Sequence, residues 1–348
     1  MSFFKPVLIL FISILFVNAI QSQTSKVRNL QTIKVTESQQ NHYDAYLFVY
    51  FTGNNRNEEQ IRFALSPDGY HYTALNHNNP ILDAKKISLT GGVRDPHILR
   101  GIDGKTFYMV ATDMVADSGW NSNRGIVLLK STDLIHWSSK AIHIPTVFPK
   151  DFGNVLRVWA PQTVYNPKAR KYMLYFSMLT SSPNEYDKIY YCYVNEDFTK
   201  ITTVPKQLFY NPEKKACIDA DILYAKGKYH MFYKTEGDDK GIHQAVSNEL
   251  TCNWVPYVGA LQQTKEHVEG PGVFKLNNSD AWILMYDVYT KGYYQFTRST
   301  NLLKFDVVDQ NVKMDFHPRH GTVMPITMQE YNSLKTYWEK HVSAESDR

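Results

Sequence analysis

Apolar and polar positions alternate in short runs along this chain instead of recurring at helical intervals. Five aromatic-rich runs stand out, at 45–51, 106–111, 171–176, 228–233 and 281–286. Aromatic and β-branched side chains suit the half-buried pleated surface of a sheet, so each run predicts a strand. A polar mark follows each run: Ser66-Pro67-Asp68, Ser131-Thr132-Asp133, Asn195-Glu196-Asp197, Ser247-Asn248-Glu249 and Ser299-Thr300-Asn301. The last residues of these marks, 68, 133, 197, 249 and 301, are 65, 64, 52 and 52 residues apart. A further short strand precedes four of the runs, at 96–99, 161–164, 221–224 and 271–274. The first run lacks one upstream, and a matching strand at 321–326 is left over at the other end of the chain.

Repeats of this length with four short strands each are propeller blades. The predicted fold is all-β: a five-bladed β-propeller closed by the C-terminal strand, which completes the blade begun by 45–51. No Pro/Ser-rich linker divides the chain, so 23–348 reads as one domain. Residues 328–341 predict a terminal helix packed outside the ring. Residues 1–22 stand apart. Lys5 precedes an uncharged apolar run at 6–17, shorter than the roughly 20 residues of a membrane span. Small and polar residues follow, so this segment reads as a signal peptide cut after Ala19 or Ser22. A secreted or periplasmic protein is expected, with no membrane span in the mature chain.

Composition narrows the classes. Aromatic residues make up 14% of the chain, which agrees with a sheet-rich fold. Basic residues number 38 against 34 acidic, a net charge of +4 with no basic block, so nothing supports a nucleic-acid partner. Cys192, Cys217 and Cys252 are not spaced as metal ligands and read as apolar core side chains. Zinc-hydrolase, nucleophilic-serine, P-loop and dinucleotide signatures are absent.

The first strand of each propeller blade lines the channel, and all five run the same way, so their starts share one face. Those starts read Arg94-Asp95-Pro96, Trp159-Ala160-Pro161, Ile218-Asp219-Ala220, Glu269-Gly270-Pro271 and Arg319-His320-Gly321. Three bring a carboxylate and one a histidine. Carboxylates crowded on an axis repel and are costly to bury unpaired, which points to acid and base work by two of them with the third tuning the pKa.

The order of these triplets resembles glycoside hydrolase family 43 and the wider clan of five-bladed glycosidases, from about residue 43 to 326. The resemblance implies Asp95 as general base, Glu269 as general acid with a raised pKa, and Asp219 as modulator. Ala220 stands where the family has Pro, and Asp221 is a second candidate for the modulator. The aromatic strand set at 43–75, ahead of Asp95, departs from many relatives. Substrate contacts are assigned to Arg94, Trp159, Gln162 and Trp120. No cofactor is required; His320 stands where family members often carry a calcium or sodium ion in the channel. The implied substrate is an oligo- or polysaccharide bearing α-L-arabinofuranosyl, β-D-xylosyl or β-galactosyl units, hydrolysed with inversion by a monomer. A non-catalytic carbohydrate-binding propeller and a glycoside phosphorylase are the competing readings. The first would lack one of the three carboxylates; the second would need a phosphate cluster, for which Arg94, Arg319 and His320 are the candidates.

Overall fold

A computed structural model of the protein describes residues 42–346; the expected signal segment lies outside the described residues. Among the described residues the chain forms five sheets, four of them purely antiparallel. Strands β1 (Ala45–Phe51), β2 (Arg62–Ser66) and β3 (His71–Ala74) come first. The Asp95 blade follows, with β4 (Val93–Arg100), β5 (Phe107–Asp113), β6 (Gly125–Ser131) and β7 (Ser138–His143). The Trp159 blade holds β8 (Arg157–Asn166), β9 (Lys171–Leu179), β10 (Lys188–Tyr193) and β11 (Lys206–Phe209). The Asp219 blade holds β12 (Cys217–Ala225), β13 (Lys228–Thr235), β14 (Gly241–Ser247) and β15 (Val255–Pro256). The Glu269 blade holds β16 (Glu269–Lys275), β17 (Trp282–Val288), β18 (Tyr293–Ser299) and β19 (Asp306–Val307). Two strands remain, β20 (Lys313–Met314) and β21 (Arg319–Ile326).

The ring is closed as the leftover strand predicts. β21 pairs antiparallel with β1, Ala45 opposite Ile326 and Val49 opposite Thr322. The closing blade thus takes its inner strand from one end of the chain and β1–β3 from the other, while β20 adds a parallel strand outside β3. The inner strands start earlier than the sequence pattern suggests, at Val93, Arg157, Cys217 and Glu269, so the chemistry-bearing triplets are strand residues and not turns.

Five apolar clusters fill the five seams between neighbouring blades. One joins Tyr46, Phe48 and Tyr50 of β1 to Phe274, Met285 and Phe296 of the Glu269 blade. The recurring polar marks have a local cause. In three blades a serine hydroxyl (Ser66, Ser131, Ser299) accepts from the amide three residues on, at 2.8–3.0 Å. The Asp or Asn two residues after that serine takes the next two amides, as Asp133 does from Ile135 and His136. This bends the chain between the third and outer strands through a left-handed residue: Gly69, Leu134 or Leu302. The C-terminal helix α1 (Met328–Ser346) reaches beyond its predicted end. It lies against the closing seam through Leu334, Tyr331 and Trp338, and Glu330 holds Arg100 in a two-bonded ion pair at 2.7 and 2.8 Å. Among the described residues no helix is long and apolar enough to cross a membrane. Cys192, Cys217 and Cys252 are unpaired, the first two buried.

Candidate active site

Every inner strand carries the same defect at its start. Pairing with the second strand slips between Arg94 and His97, Trp159 and Gln162, Ile218 and Asp221, Glu269 and Gly272, and opposite Val49–Phe51 in the closing blade. Two residues bulge where the partner strand has one. Asp95, Ala160, Asp219 and Gly270 adopt left-handed φ of 50°, 45°, 55° and 59°. A bulge breaks the alternation of a strand, so two successive side chains can face one side. Left-handed backbone costs an L-residue roughly 1–2 kcal/mol, and aspartate tolerates it better than most. At Gly270 a side chain is also excluded: a Cβ would lie 2.4 Å from the His320 ring. Register now separates the carboxylates. Asp95, Asp219 and His320 occupy the bulge position, whereas the longer Glu269 stands one place earlier, level with Arg94, Trp159, Ile218 and Arg319.

These starts surround a cavity of about 300 Å³, lined by Asp95, Asp219, Glu269 and His320 and walled by Arg94, Trp120, Arg157, Trp159 and Lys234. A larger cavity of about 910 Å³ lies at the far ends of β4 and β8, around Tyr165 and Tyr172. It holds none of the strand-start residues, so we place the chemistry in the smaller one.

Asp95 is buried. Its Oδ2 accepts from Thr112 Oγ1 at 2.8 Å, and Oδ1 lies 3.5 Å from His320 Nδ1. Burial alone would raise its pKa; the hydrogen bond and charge of His320, the Arg94 charge and the Thr112 hydroxyl outweigh it and hold the carboxyl below its usual range. Burial disfavours a charged His320 in turn, yet the Asp95 hydrogen bond and the charges of Asp219, Asp95 and Glu269 lift it to about 9. The pair is a carboxylate and an imidazolium. Thr112 also accepts the Ala160 amide at 2.8 Å, tying the Asp95 blade to the next.

Asp219 is fixed by its neighbours on both sides. Its amide donates to Ser177 Oγ at 3.0 Å, and its Oδ2 accepts from the Gly270 amide at 3.1 Å, beside Glu269. Burial raises its pKa; the charges of Glu269 and Asp95 add to this while His320 and Lys234 oppose it. Glu269 Oε1 accepts from Arg319 Nη2 at 2.7 Å, and Oε2 lies 3.8 Å from Lys234 Nζ. Arg319 Nε also pairs with Asp287.

Register separates Asp219 from Asp221. Asp221 does not line the pocket; its Oδ2 accepts the Val273 amide at 2.7 Å, stitching two blades together. Gln162 stands at the same level and does not meet the pocket either. It is buried, with Oε1 accepting from Tyr175 OH at 2.9 Å, and so stands behind the pocket residues. Trp159 and Trp120 do border the cavity, edge to face with ring centres 6.4 Å apart. Trp159 is held by Asn123 at 2.6 Å and lies 4.0 Å from the Arg157 guanidinium. Trp120, half exposed, rests against Arg94, which sits between it and Phe51 at 5.3 and 4.6 Å. Arg94 is anchored by buried Glu59 at 3.1 Å, and Glu59 also takes the Ala116 amide at the root of the Trp120 loop.

A calcium or sodium ion needs several oxygen ligands. Among the described residues no group of three or more His, Cys, Asp or Glu gathers for one, and His320 Nδ1 is turned toward Asp95. These side chains alone do not make a cage for such an ion.

Residues 41–332 match the family described as a probable glycosyl hydrolase domain, related to family 43. The chain belongs to this glycosyl hydrolase 43-related family. Its ring of strand-start triplets is the one the sequence resemblance rests on. The chain is 25% identical over 291 residues to an α-L-arabinofuranosidase of Bifidobacterium longum subsp. longum, covering 72% of this chain and 27% of that protein. It therefore spans about a quarter of that relative's length. Among solved structures, an endo-1,4-β-xylanase of Bacteroides thetaiotaomicron superposes with a TM-score of 0.53 at 15% identity, over 82% of this chain and 97% of that one. An α-L-arabinofuranosidase of Clostridium thermocellum gives 0.53 at 12% identity, over 76% and 84%. At such identities these two structures speak for the fold alone.

A second ring of residues lies behind the strand starts and carries no motif. Thr112, Ser177, Lys234 and Asp287 stand opposite Arg94, Trp159, Ile218 and Glu269 on the second strands, and Phe51 stands opposite Arg319. All five are buried.

Proposed function

We propose that this family member hydrolyses O-glycosidic bonds of an oligo- or polysaccharide with inversion, Asp95 acting as base, Glu269 as acid and Asp219 as modulator. The observation that carries the reading is the gathering of these three carboxylates, from three blades, on one small cavity walled by two tryptophans. Glu269 gives its proton to the leaving oxygen as the glycosidic C–O bond breaks. Water, attacking the anomeric carbon from the other side, gives a proton to Asp95 and becomes the new hydroxyl. Solvent then reprotonates Glu269 and deprotonates Asp95, so one water is consumed per bond. His320 and Thr112 keep Asp95 ionised and aimed for this. Asp219, close to Glu269 and bonded to the Gly270 amide, favours holding one proton between the two carboxyls. Inversion needs the base and acid carboxyls about 6.5–9.5 Å apart, to admit the water. The aromatic faces of Trp159 and Trp120 suit the C–H face of a sugar. The arabinofuranosidase relative makes arabinofuranosides the first substrates to try, ahead of xylosides and β-galactosides.

A phosphorylase needs cations free for phosphate. Arg94, Arg319 and His320, the candidates for it, are each matched by a carboxylate, Glu59, Glu269 and Asp95, at 3.1, 2.7 and 3.5 Å. Turnover is therefore expected without phosphate. Export through the segment at 1–22 is part of the same proposal, and N-terminal sequencing of exported protein tests it. For the chemistry, the test is a nitrophenyl glycoside panel followed by NMR of the first-formed sugar before mutarotation. Inverted product supports the scheme; retained configuration removes Asp95 as base.

A further inference from the structure

Asp287 is a carboxylate that this scheme leaves without a task. It sits on β17 directly opposite Glu269 in the strand register. Its side chain is fully buried, and Oδ1 has no hydrogen-bond partner. A carboxylate in that state does less for a fold than asparagine or an apolar residue of similar size. Its one polar contact explains its presence. Oδ2 accepts from Arg319 Nε, while Nη2 of the same guanidinium donates to Glu269 Oε1 at 2.7 Å. Two carboxyl groups share one cation, whose charge works against the burial that holds Asp287 up to about 7.

The guanidinium is a rigid planar fork, so fixing Nε on Asp287 fixes the direction in which Nη2 points. Without Asp287 the fork is free to turn both ends to Glu269 and clamp it as a carboxylate. The other charged or titratable groups facing this pair are His320 beside Arg319, Lys234 from β13, Asp219 from β12, Tyr294 from β18, and Tyr289 after β17. None of them takes the Nε edge of Arg319. We propose that Asp287 is a positioning residue for the acid: it anchors and electrically offsets Arg319, so that Glu269 receives one directed hydrogen bond and not an unopposed positive charge. The inference rests on Glu269 being the acid.

The test is Asp287→Asn in the full chain, assayed on two glycosides of whichever sugar the wild type cleaves. One has a sugar leaving group that needs the proton; the other has a dinitrophenol that does not. We expect the first to slow about tenfold or more and the second much less. The alkaline limb of kcat/KM on the sugar leaving group should fall by about one pH unit, because Arg319 is left unopposed. Adding Arg319→Gln removes that cation and should bring the limb back up. Equal slowing of both glycosides with the limb unmoved would overturn the proposal. If circular dichroism finds Asp287→Asn unfolded, the neutral pair Asp287→Asn with Arg319→Gln decides: a limb at or above its wild-type position supports the role, and one below it overturns the role. A wild type that cleaves neither glycoside sinks the hydrolase reading itself. A wild type whose Glu269→Gln variant loses only the proton-dependent substrate, while Asp287→Asn behaves as wild type, sinks only the role of Asp287.

Discussion

Replacing His320 by glutamine keeps a hydrogen-bond donor at the channel mouth and removes its charge. The imidazole is buried, 3.5 Å from Asp95, and is lifted from an ordinary 6.5 to about 9. That difference corresponds to roughly 3 kcal/mol favouring the imidazolium in the folded protein. A folded-state pKa above the unfolded one stabilises fully below the unfolded value and is lost as pH rises through the folded value. The wild type should therefore hold this contribution at pH 6.5 and below, and lose most of it by about pH 9.5. Asp221 and Asp287, held up to about 7 by burial, titrate in both proteins, so the readout is the difference between wild type and variant. Urea unfolding at matched ionic strength should give a gap of about 2–3 kcal/mol at pH 6.5, narrowing to under about 1 kcal/mol at pH 9.5. On the activity side, Asp95 loses its nearest cation, so the acid limb of kcat/KM should move to higher pH. A gap of the same size at both pH values would mean that His320 packs as a neutral ring, and the reasoning about Asp95 would fail with it.

Glu269→Gln should cost about 10²–10⁴-fold on glycosides with poor leaving groups and far less on dinitrophenyl glycosides, read from initial rates. Trp120→Ala, which removes a half-exposed ring resting on Arg94 and Trp159, should raise KM about tenfold with kcat little changed. Gln162→Leu should leave KM alone but lower stability by about 1–3 kcal/mol in urea melts, because it strips the acceptor from the buried Tyr175 hydroxyl. Chelation with EDTA should change neither melting temperature nor kcat; a loss restored by calcium would reopen the ion site at His320.

The ring and its closure were legible because they are periodic. Each blade needs the same bend and the same apolar seam, so the Ser-x-Asp marks and aromatic runs recur. The carboxylates were legible for the same reason, as each opens an inner strand. The register was not. Counting Asp95, Asp219 and Glu269 as one level missed the bulge that separates Glu269 from the two aspartates, because a bulge leaves no residue type behind beyond a left-handed Asp, Ala or Gly. The same step sets where Gln162 points: two bulged residues separate it from Trp159. The missed ring had a signal. Phe107, Tyr172, Tyr229, Trp282 and Tyr46 each lie five residues before Thr112, Ser177, Lys234, Asp287 and Phe51. The last four aromatic runs stop one residue short of these positions, at the point where hydrophobicity ends and polar chemistry begins. Partnerships such as Glu59 with Arg94 join a loop to a strand 35 residues further on and carry no spacing to read.

One consequence joins fold to chemistry. The two cations nearest the proposed base and acid, His320 and Arg319, are successive residues of β21, the strand that closes the ring on β1. Until β21 docks, Asp95 lacks its imidazolium, and Glu269 and Asp287 lack their shared guanidinium. Four carboxylates from three blades, Asp219 among them, would then face one another with Lys234 and Arg94 as the remaining cations beside them, an arrangement that repels. Closure relieves this repulsion as it buries the aromatic seams, so electrostatics and packing favour the same step. The same strand that fastens the ring therefore completes the site, and a chain that has not closed has neither a protected core nor a balanced set of acids.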